Sequence, residues 1–239
     1  METAALLAQT ETGAARITET ISAHCGAQRL AVALLPSPLE RRVNRLLKRG
    51  VDVLAATVFI LFVFPWFLPL AALLISLESR GPVFFRQRRH KQNGDVFGCI
   101  KLRTMLVNPH ADTLAAFEGD QRITRIGRIL RRSHLDELPQ LFNVLLGDMS
   151  LVGPRPHMLS ENAVFSAEHP SYRLRNQVKP GITGLAQVRG LVGATSDAAA
   201  IERRLLSDLH YIRHWSPRMD TRILLATMSG FFRNKKQHL

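Results

Sequence analysis

From position 53 to position 77 the chain carries no charged residue, only 25 consecutive positions dominated by Val, Leu, Ile, Phe and Ala. As a helix this run would be roughly 37 Å long, enough to cross the hydrocarbon core of a bilayer. Hydropathy alone reads it as a single spanning helix. Pro65 stands in the middle of the run, with Pro69 one turn later. A mid-helix proline removes a backbone donor and kinks the helix, so a break is expected at Pro65. The flanks add a second constraint. Arg41, Arg42, Arg45, Lys48 and Arg49 precede the run, and Arg80, Arg86, Arg88, Arg89 and Lys91 follow it. Both clusters favour the cytoplasm. A spanning helix would send one of them across the membrane, whereas a helix that bends at Pro65, dips in and returns keeps both on one side. The re-entrant arrangement is preferred on that ground. Asp52, beside the run, is expected at headgroup level, either paired with a flanking cation or simply marking the boundary.

Hydrophobic residues make up 46% of the 239 positions, which excludes intrinsic disorder for most of the chain. Against 19 Asp+Glu stand 32 Lys+Arg, a formal charge of +13 that needs an anionic counterpart: nucleic acid, anionic membrane lipids or phosphorylated substrates. Nucleic acid is disfavoured, because there are only two tyrosines and two tryptophans for base stacking and the charge hugs a lipid-inserting segment. Cys25 and Cys99 lie far apart with no Cys or His at ligand spacing, so neither a disulfide framework nor a zinc site is expected, and a reducing compartment is the default. The first forty residues are rich in Ala, Thr and Glu and lack a basic n-region, so they do not read as a signal peptide. They are expected to form a disordered N-terminal tail, residues 1–40, closing around Pro36-Ser37-Pro38. Residues 41–80 then hold the membrane helix and its basic flanks, and residues 81–239 a globular domain.

In that domain Val83-Phe84-Phe85 and Val96-Phe97-Gly98-Cys99-Ile100 flank Asn93-Gly94, the pattern of a small β-hairpin. Leu138, Leu141, Phe142 and Leu145 follow a helical i, i+3, i+4, i+7 spacing, and Ile201, Leu205, Leu209 and Ile212 form a second stripe. Both read as core-facing. Residues 219–232 are apolar, too short to span and edged by Arg218, Arg222, Arg233, Lys235 and Lys236, a helix suited to the headgroup plane. The fold class is α+β, mainly helical: one re-entrant membrane helix broken at Pro65, and a small domain with a short hairpin and interfacial amphipathic helices.

The segment with chemistry in it runs Arg131-Arg132-Ser133-His134-Leu135-Asp136-Glu137-Leu138-Pro139-Gln140-Leu141. Proline is tolerated only in a first turn, so a helix is expected to start close to Asp136, with Asp136 and Glu137 at the positive end of its dipole and held ionised. An ordinary N-terminal cap has the same appearance. An ionised, anchored carboxylate among arginines is also what covalent phosphoryl transfer needs. Two rigid loops carry cations: Gly153-Pro154-Arg155-Pro156, whose prolines restrict Arg155, and Lys179-Pro180-Gly181-Ile182-Thr183-Gly184. Taken singly, Lys101, Arg103, Arg122, Arg125, Arg128, Arg131 and Arg132 also suit a solvated basic face. No Walker motif, GxGxxG or GxSxG occurs, and the histidines show no metal spacing.

In this order the residues resemble the bacterial sugar transferase family, the monotopic phosphoglycosyl transferases. The marks are Lys48-Arg49 with Asp52, the proline-bearing apolar helix, Gly81-Pro82-Val83-Phe84-Phe85-Arg86-Gln87, and Lys101-Leu102-Arg103-Thr104-Met105. Most specific is Leu135-Asp136-Glu137-Leu138-Pro139-Gln140-Leu141 leading to Gly147-Asp148-Met149-Ser150-Leu151-Val152-Gly153-Pro154-Arg155-Pro156. The chain departs from the usual pattern at Lys91, His134, Leu185, Arg189 and Leu191. The resemblance implies transfer of a hexose 1-phosphate, glucose or galactose, from a UDP-sugar to undecaprenyl phosphate for exopolysaccharide or capsule. Asp136 would be the nucleophile and the Mg²⁺ ligand, and Glu137 would position the metal or the incoming phosphate. Arg155, Lys179, Lys101, Arg103 and Arg86 would bind substrate phosphates. The enzyme would sit in the bacterial inner membrane with its catalytic domain on the cytoplasmic face, among anionic lipids. A catalytically inactive scaffold in a polysaccharide assembly complex is the alternative. The sequence leaves open the sugar, the polyprenyl length and whether a homo-oligomer forms. For the topology, cysteines placed before Lys48 and after Gly81 are expected to react with an impermeant thiol reagent from the cytoplasmic side alone; labelling from opposite sides would restore the spanning helix.

Overall fold

A single long helix, α1 (Arg42–Glu78), contains the whole apolar run. The computed structural model describes residues 36–109, 111, 114, 116–117, 119–193 and 197–233. Most of the expected tail therefore lies outside the described residues, as does Cys25. Its limit at residue 40 is corrected. Ser37 caps a 3-10 turn, Pro38–Glu40, with reciprocal bonds to Glu40, and the Ser37 hydroxyl donates 2.7 Å to the Ile212 carbonyl, so these residues belong to the folded unit that begins at Ser37. The expected break at Pro65 is also corrected: α1 continues through Pro65 and Pro69. Each proline removes one donor, leaving only the Leu61 and Pro65 carbonyls without their i+4 partner. The packing on either side holds the helix together. Ala56 and Phe64 are buried before the proline pair, Ala71 and Ile75 after it, and Phe64 meets the Phe142 ring edge-on at 5.3 Å.

The polar residues at the start of α1 each tie it to a different element. Lys48 donates 2.6 Å to Asp220, and Arg49 donates to the carbonyls of Val144 and Leu145 at the end of helix α3 (Gln140–Leu146). Asp52 is buried and accepts 3.0 Å from the Leu151 N–H of strand β3 (Ser150–Val152). This amide bond is its anchor, and among the described residues it makes no direct ion pair. At the other end Glu78 accepts from the Arg125 and Ile126 N–H groups that open helix α2 (Arg125–Arg132). Those are orphan donors of a helix N-terminus, satisfied by a carboxylate that also complements the dipole. Both ends of α1 thus bond to the same folded unit.

The hairpin forms as expected: β1 (Phe84–His90) pairs antiparallel with β2 (Val96–Leu102), and Asn93 and Gly94 both take positive φ in the turn. Asn143 on α3 serves the edge of β2, donating 2.9 Å to the Gly98 carbonyl and accepting 2.9 Å from the Ile100 N–H. The α3 stripe packs its leucines and Phe142 against Phe64, Phe97 and Cys99, a core shared between the apolar helix and the hairpin. The second stripe lies on α6 (Ala198–His214), after α4 (Leu159–Glu168) and the short α5 (Leu185–Val188), and its four apolar residues are all buried. Helix α7 (Pro217–Arg233) closes the chain; Ile223 is buried while Leu225 and Met228 are exposed.

Three-residue strands that periodicity does not announce join the two cation-bearing loops. β3 pairs in parallel with β4 (Gly181–Thr183), Ser150 opposite Gly181 and Val152 opposite Thr183. Just beyond β3 the backbones come so close that a methyl group on Gly153 would lie 2.5 Å from the Lys179 carbonyl oxygen. Backbone cannot yield as a flexible side chain can. Gly153→Ala is therefore expected to destabilise the fold by about 3 kcal/mol, seen as a lower thermal midpoint of the detergent-solubilised chain.

Candidate active site

Asp136 and Glu137 stand on a 3-10 turn, Leu135–Glu137, between α2 and α3. The turn is entered through His134, whose backbone is left-handed at φ 51°, a strain of roughly 1–2 kcal/mol for a residue with a side chain. Pro139 then precedes α3, which begins at Gln140. The carboxylates thus sit one turn ahead of the helix expected to start at Asp136. Both are buried, at 7% and 8% exposure, but their surroundings differ sharply.

Glu137 is fully engaged. Arg155 grips it with two bonds, Nη1 to Oε2 at 2.9 Å and Nη2 to Oε1 at 2.6 Å, and Lys101 Nζ donates 2.7 Å to Oε1. Burial alone would raise its carboxyl, yet the charges and hydrogen bonds of Arg155 and Lys101 outweigh that and hold it well below the ordinary glutamate range. The Glu137 charge in turn raises the Arg155 guanidinium. Asp136 has no hydrogen bond or ion pair among the described residues. Burial pushes its carboxyl up, and the adjacent Glu137 charge adds to this, against the lowering effect of Lys101, Arg131 and Arg155. The two neighbouring carboxyls are thus shifted in opposite directions, Glu137 down by its cations and Asp136 up by burial, where the sequence treats them alike.

The pair opens on a cavity of about 460 Å³ that Lys101, Arg103, Arg131, Asp136, Glu137 and Arg155 all line. Of the residues expected to bind phosphate, Lys101 and Arg155 are brought together on Glu137. Arg103 reaches the cavity wall, but its guanidinium donates to the carbonyls of Ser79, Arg80 and Gly81 and fastens the end of α1. Arg86 is placed elsewhere. Strand parity points Phe85, Gln87 and Arg89 to the face of Lys101, while Arg86 is exposed on the opposite face, its stem beside Gly98. Lys179 is also absent from the cavity lining; its ammonium lies near Gly147, next to the Arg49 guanidinium. The loop that carries Lys179 runs beside Gly153 and Pro154, where the Gly181 N–H donates 3.0 Å to the Pro154 carbonyl, but the Lys179 side chain turns away toward Gly147 and Arg49.

Four cavity arginines, Arg89, Arg131, Arg175 and Arg204, were passed over. Arg89 is buried, donates 2.7 Å to Gln87 and bonds the Pro156 carbonyl; the alternation of β1 could have revealed it. Arg131 is anchored through Nε to the Thr104 hydroxyl at 2.7 Å. Arg175 is held by Asp208 at 2.7 Å and Tyr172 at 2.9 Å, and it donates 2.8 Å to the Arg155 carbonyl. Nothing local in the sequence signals that network, which spans residues 155–208. Among the positions that depart from the family pattern, His134 and Leu191 line the cavity, and Lys91 pairs with Asp148 at 2.8 Å.

Residues 43–234 match the family described as bacterial sugar transferase. The chain belongs to that family. A UDP-glucose:undecaprenyl-phosphate glucose-1-phosphate transferase of Caulobacter vibrioides is 49% identical over 192 residues, covering 80% of this chain and 72% of that protein. An enzyme of the same name from Escherichia coli is 44% identical over 205 residues, 85% of this chain but 44% of that protein, so this sugar transferase chain spans less than half of its length. A UDP-N-acetylgalactosamine-undecaprenyl-phosphate N-acetylgalactosaminephosphotransferase of Aeromonas hydrophila is 42% identical over 201 residues, 82% of this chain and 45% of that protein. The three names share an acceptor but name two sugars, glucose twice and N-acetylgalactosamine once.

The electrostatics set a stability test. A carboxyl raised by burial penalises the fold at neutral pH, and the penalty disappears as pH falls and the group protonates. Asp136→Asn is therefore expected to raise the thermal midpoint at pH 7, with the difference from the native chain shrinking toward pH 4.

Proposed function

We propose that this chain transfers a hexose 1-phosphate, glucose or galactose, from a UDP-sugar to undecaprenyl phosphate, releasing UMP, as the first membrane step of exopolysaccharide or capsule synthesis. The observation that carries the reading is a buried carboxylate without a partner, Asp136, beside one whose oxygens are spoken for, in a cavity lined by cations. An Asp136 oxygen attacks the β-phosphorus of the donor. The bond to the bridging oxygen breaks, UMP leaves with the electron pair, and a phosphosugar stays on the aspartate. An oxygen of undecaprenyl phosphate then attacks the same phosphorus and expels the carboxylate, giving undecaprenyl diphosphate hexose. Lys101, Arg131 and Arg155 lie where they lower the cost of charge on the transferring phosphoryl group. Glu137 acts through them: its two oxygens fix Arg155 and Lys101, and it does not compete for phosphorus.

The same reading includes Mg²⁺. Among the described residues no group of three His, Cys, Asp or Glu side chains converges; of the cavity carboxylates, Glu161 and Asp208 are bonded to the Met158 N–H and Arg175, and Asp136 is the one that would hold an ion. That fits a cation held by one carboxylate with waters and substrate phosphates as its other ligands. When bound it would neutralise diphosphate charge.

A placement of α1 that keeps both of its basic flanks on the cytoplasmic face of the inner membrane, without a break at Pro65, belongs to this proposal. Supporting it, both ends of α1 are bonded to one folded unit, and its buried residues recur along the length at 52, 56, 64, 71 and 75. The other face is bare, with Phe62 74% and Trp66 81% exposed, which suits lipid. The exposed Leu225 and Met228 of α7, near Arg218 and Arg222, fit a helix lying in the headgroup plane among anionic lipids. UMP release from a panel of UDP-sugars, with Mg²⁺ and undecaprenyl phosphate in nanodiscs, tests the function. One UDP-hexose is expected to yield UMP, and Asp136→Asn to lower the rate at least about 10³-fold. An Asp136→Asn chain that still restores polymer synthesis in cells would favour the scaffold.

A further inference from the structure

The cavity wall is not uniform. Around Asp136 it is cationic, but one stretch is apolar and open to the outside: Phe84 is 43% exposed, Leu106 50% and Val107 68%. A water-facing active site has no use for such a lip. Its place in the fold supplies one. A methyl group on Gly81 would lie 2.7 Å from Val107 Cγ2, so the lip begins where α1 ends. Arg103 fastens the same place by its bonds to the carbonyls of residues 79–81. The last turns of α1 carry exposed Leu70, Leu73 and Leu77. Apolar surface thus leads from the membrane helix to the cavity.

We infer that Phe84, Leu106 and Val107 form the port through which the isoprenoid chain of a polyprenyl phosphate enters the cavity from the lipid; this rests on the transfer reaction proposed above. The occupant follows from chemistry. A nucleotide sugar could stack its uracil on one ring such as Phe84 but has no hydrocarbon to cover Leu106 and Val107 as well, whereas the first isoprene units adjoin the lipid phosphate and are hydrocarbon. The phosphate then needs a cation just inside the port. Arg131 provides it: its Nε is fixed by Thr104, two residues before Leu106, and its Nη1 and Nη2 have no hydrogen-bond partner among the described residues. Arg131 also lies close enough to Asp136 for its charge to act on that carboxyl. The port therefore delivers a phosphate toward the aspartate while the chain remains in lipid.

The two half-reactions separate the port from the chemistry. Leu106→Asp and Val107→Asp, with the milder Leu106→Ala and Val107→Ala, would be compared with the native chain in nanodiscs. UMP released in a single burst without acceptor reads the donor half, and KM for undecaprenyl phosphate reads the acceptor half. The burst is expected to stay within twofold. KM for undecaprenyl phosphate is expected to rise at least tenfold in the aspartate variants and less, in the same direction, in the alanine variants, with vesicle co-flotation unchanged. An unaltered KM in all four variants would overturn the port, as would a burst that falls in step with transfer in the alanine variants. A native chain that releases no UMP from any donor would remove the transfer reaction and the port with it, whereas native UMP release with unaltered lip variants removes the port alone.

Discussion

The ion cluster on Glu137 is the interaction around which the catalytic half of this sugar transferase is arranged. Lys101 comes from β2, Arg155 from the loop after β3, and Glu137 from the turn between α2 and α3, so a single carboxylate draws three distant stretches of chain together. Buried ion pairs are weak contributors to net stability, yet removing one partner costs about 3–5 kcal/mol because a bare charge is left behind. The cluster therefore specifies an arrangement more than it strengthens one. It also divides labour between adjacent carboxylates. One is saturated with cations, and the other keeps its lone pairs.

Behind the cluster stands a second buried layer. Arg175 bridges Asp208, Tyr172 and His157 and donates to the Arg155 carbonyl. Burial, with the Arg175 charge next to it, holds His157 well below the ordinary histidine range, which leaves a neutral ring able to accept from Tyr172. Pro154 and Pro156 restrict Arg155 from either side, and this network fixes it from beneath. A guanidinium positioned this way has little freedom left to lose when it meets a phosphate.

The apolar helix, long and apolar enough to cross a membrane, is also a wall of the domain. Its stripe from Ala56 to Ile75 packs against the hairpin, α2 and α3, while its opposite face is exposed. Lys48, Arg49, Asp52 and Glu78 anchor it by side chains to the same unit. In the proposed reaction such an arrangement would bring a lipid-borne acceptor and a soluble donor to one cavity without a large excursion by either.

Much was legible in the residues alone: the apolar helix, the hairpin around Asn93-Gly94, two core stripes and the Asp136-Glu137 pair. Each depends on local periodicity or turn chemistry, which sequence records directly. Other features came only with the tertiary structure. Pro65 failed to break α1 because Phe64 and Ala71 are held by packing, a non-local effect that outweighs one missing hydrogen bond. Arg86 left the site by strand parity, and Lys179 because its ammonium turns toward Gly147 and Arg49. Arg89, Arg131 and Arg175 entered it because segments far apart in the chain converge there. Sequence alone determined that a carboxylate pair would meet cations beside a membrane helix. Which carboxylate is paired and which stays free was decided by the fold, since an ion pair depends on distances of about 3 Å between residues 18 and 36 positions apart.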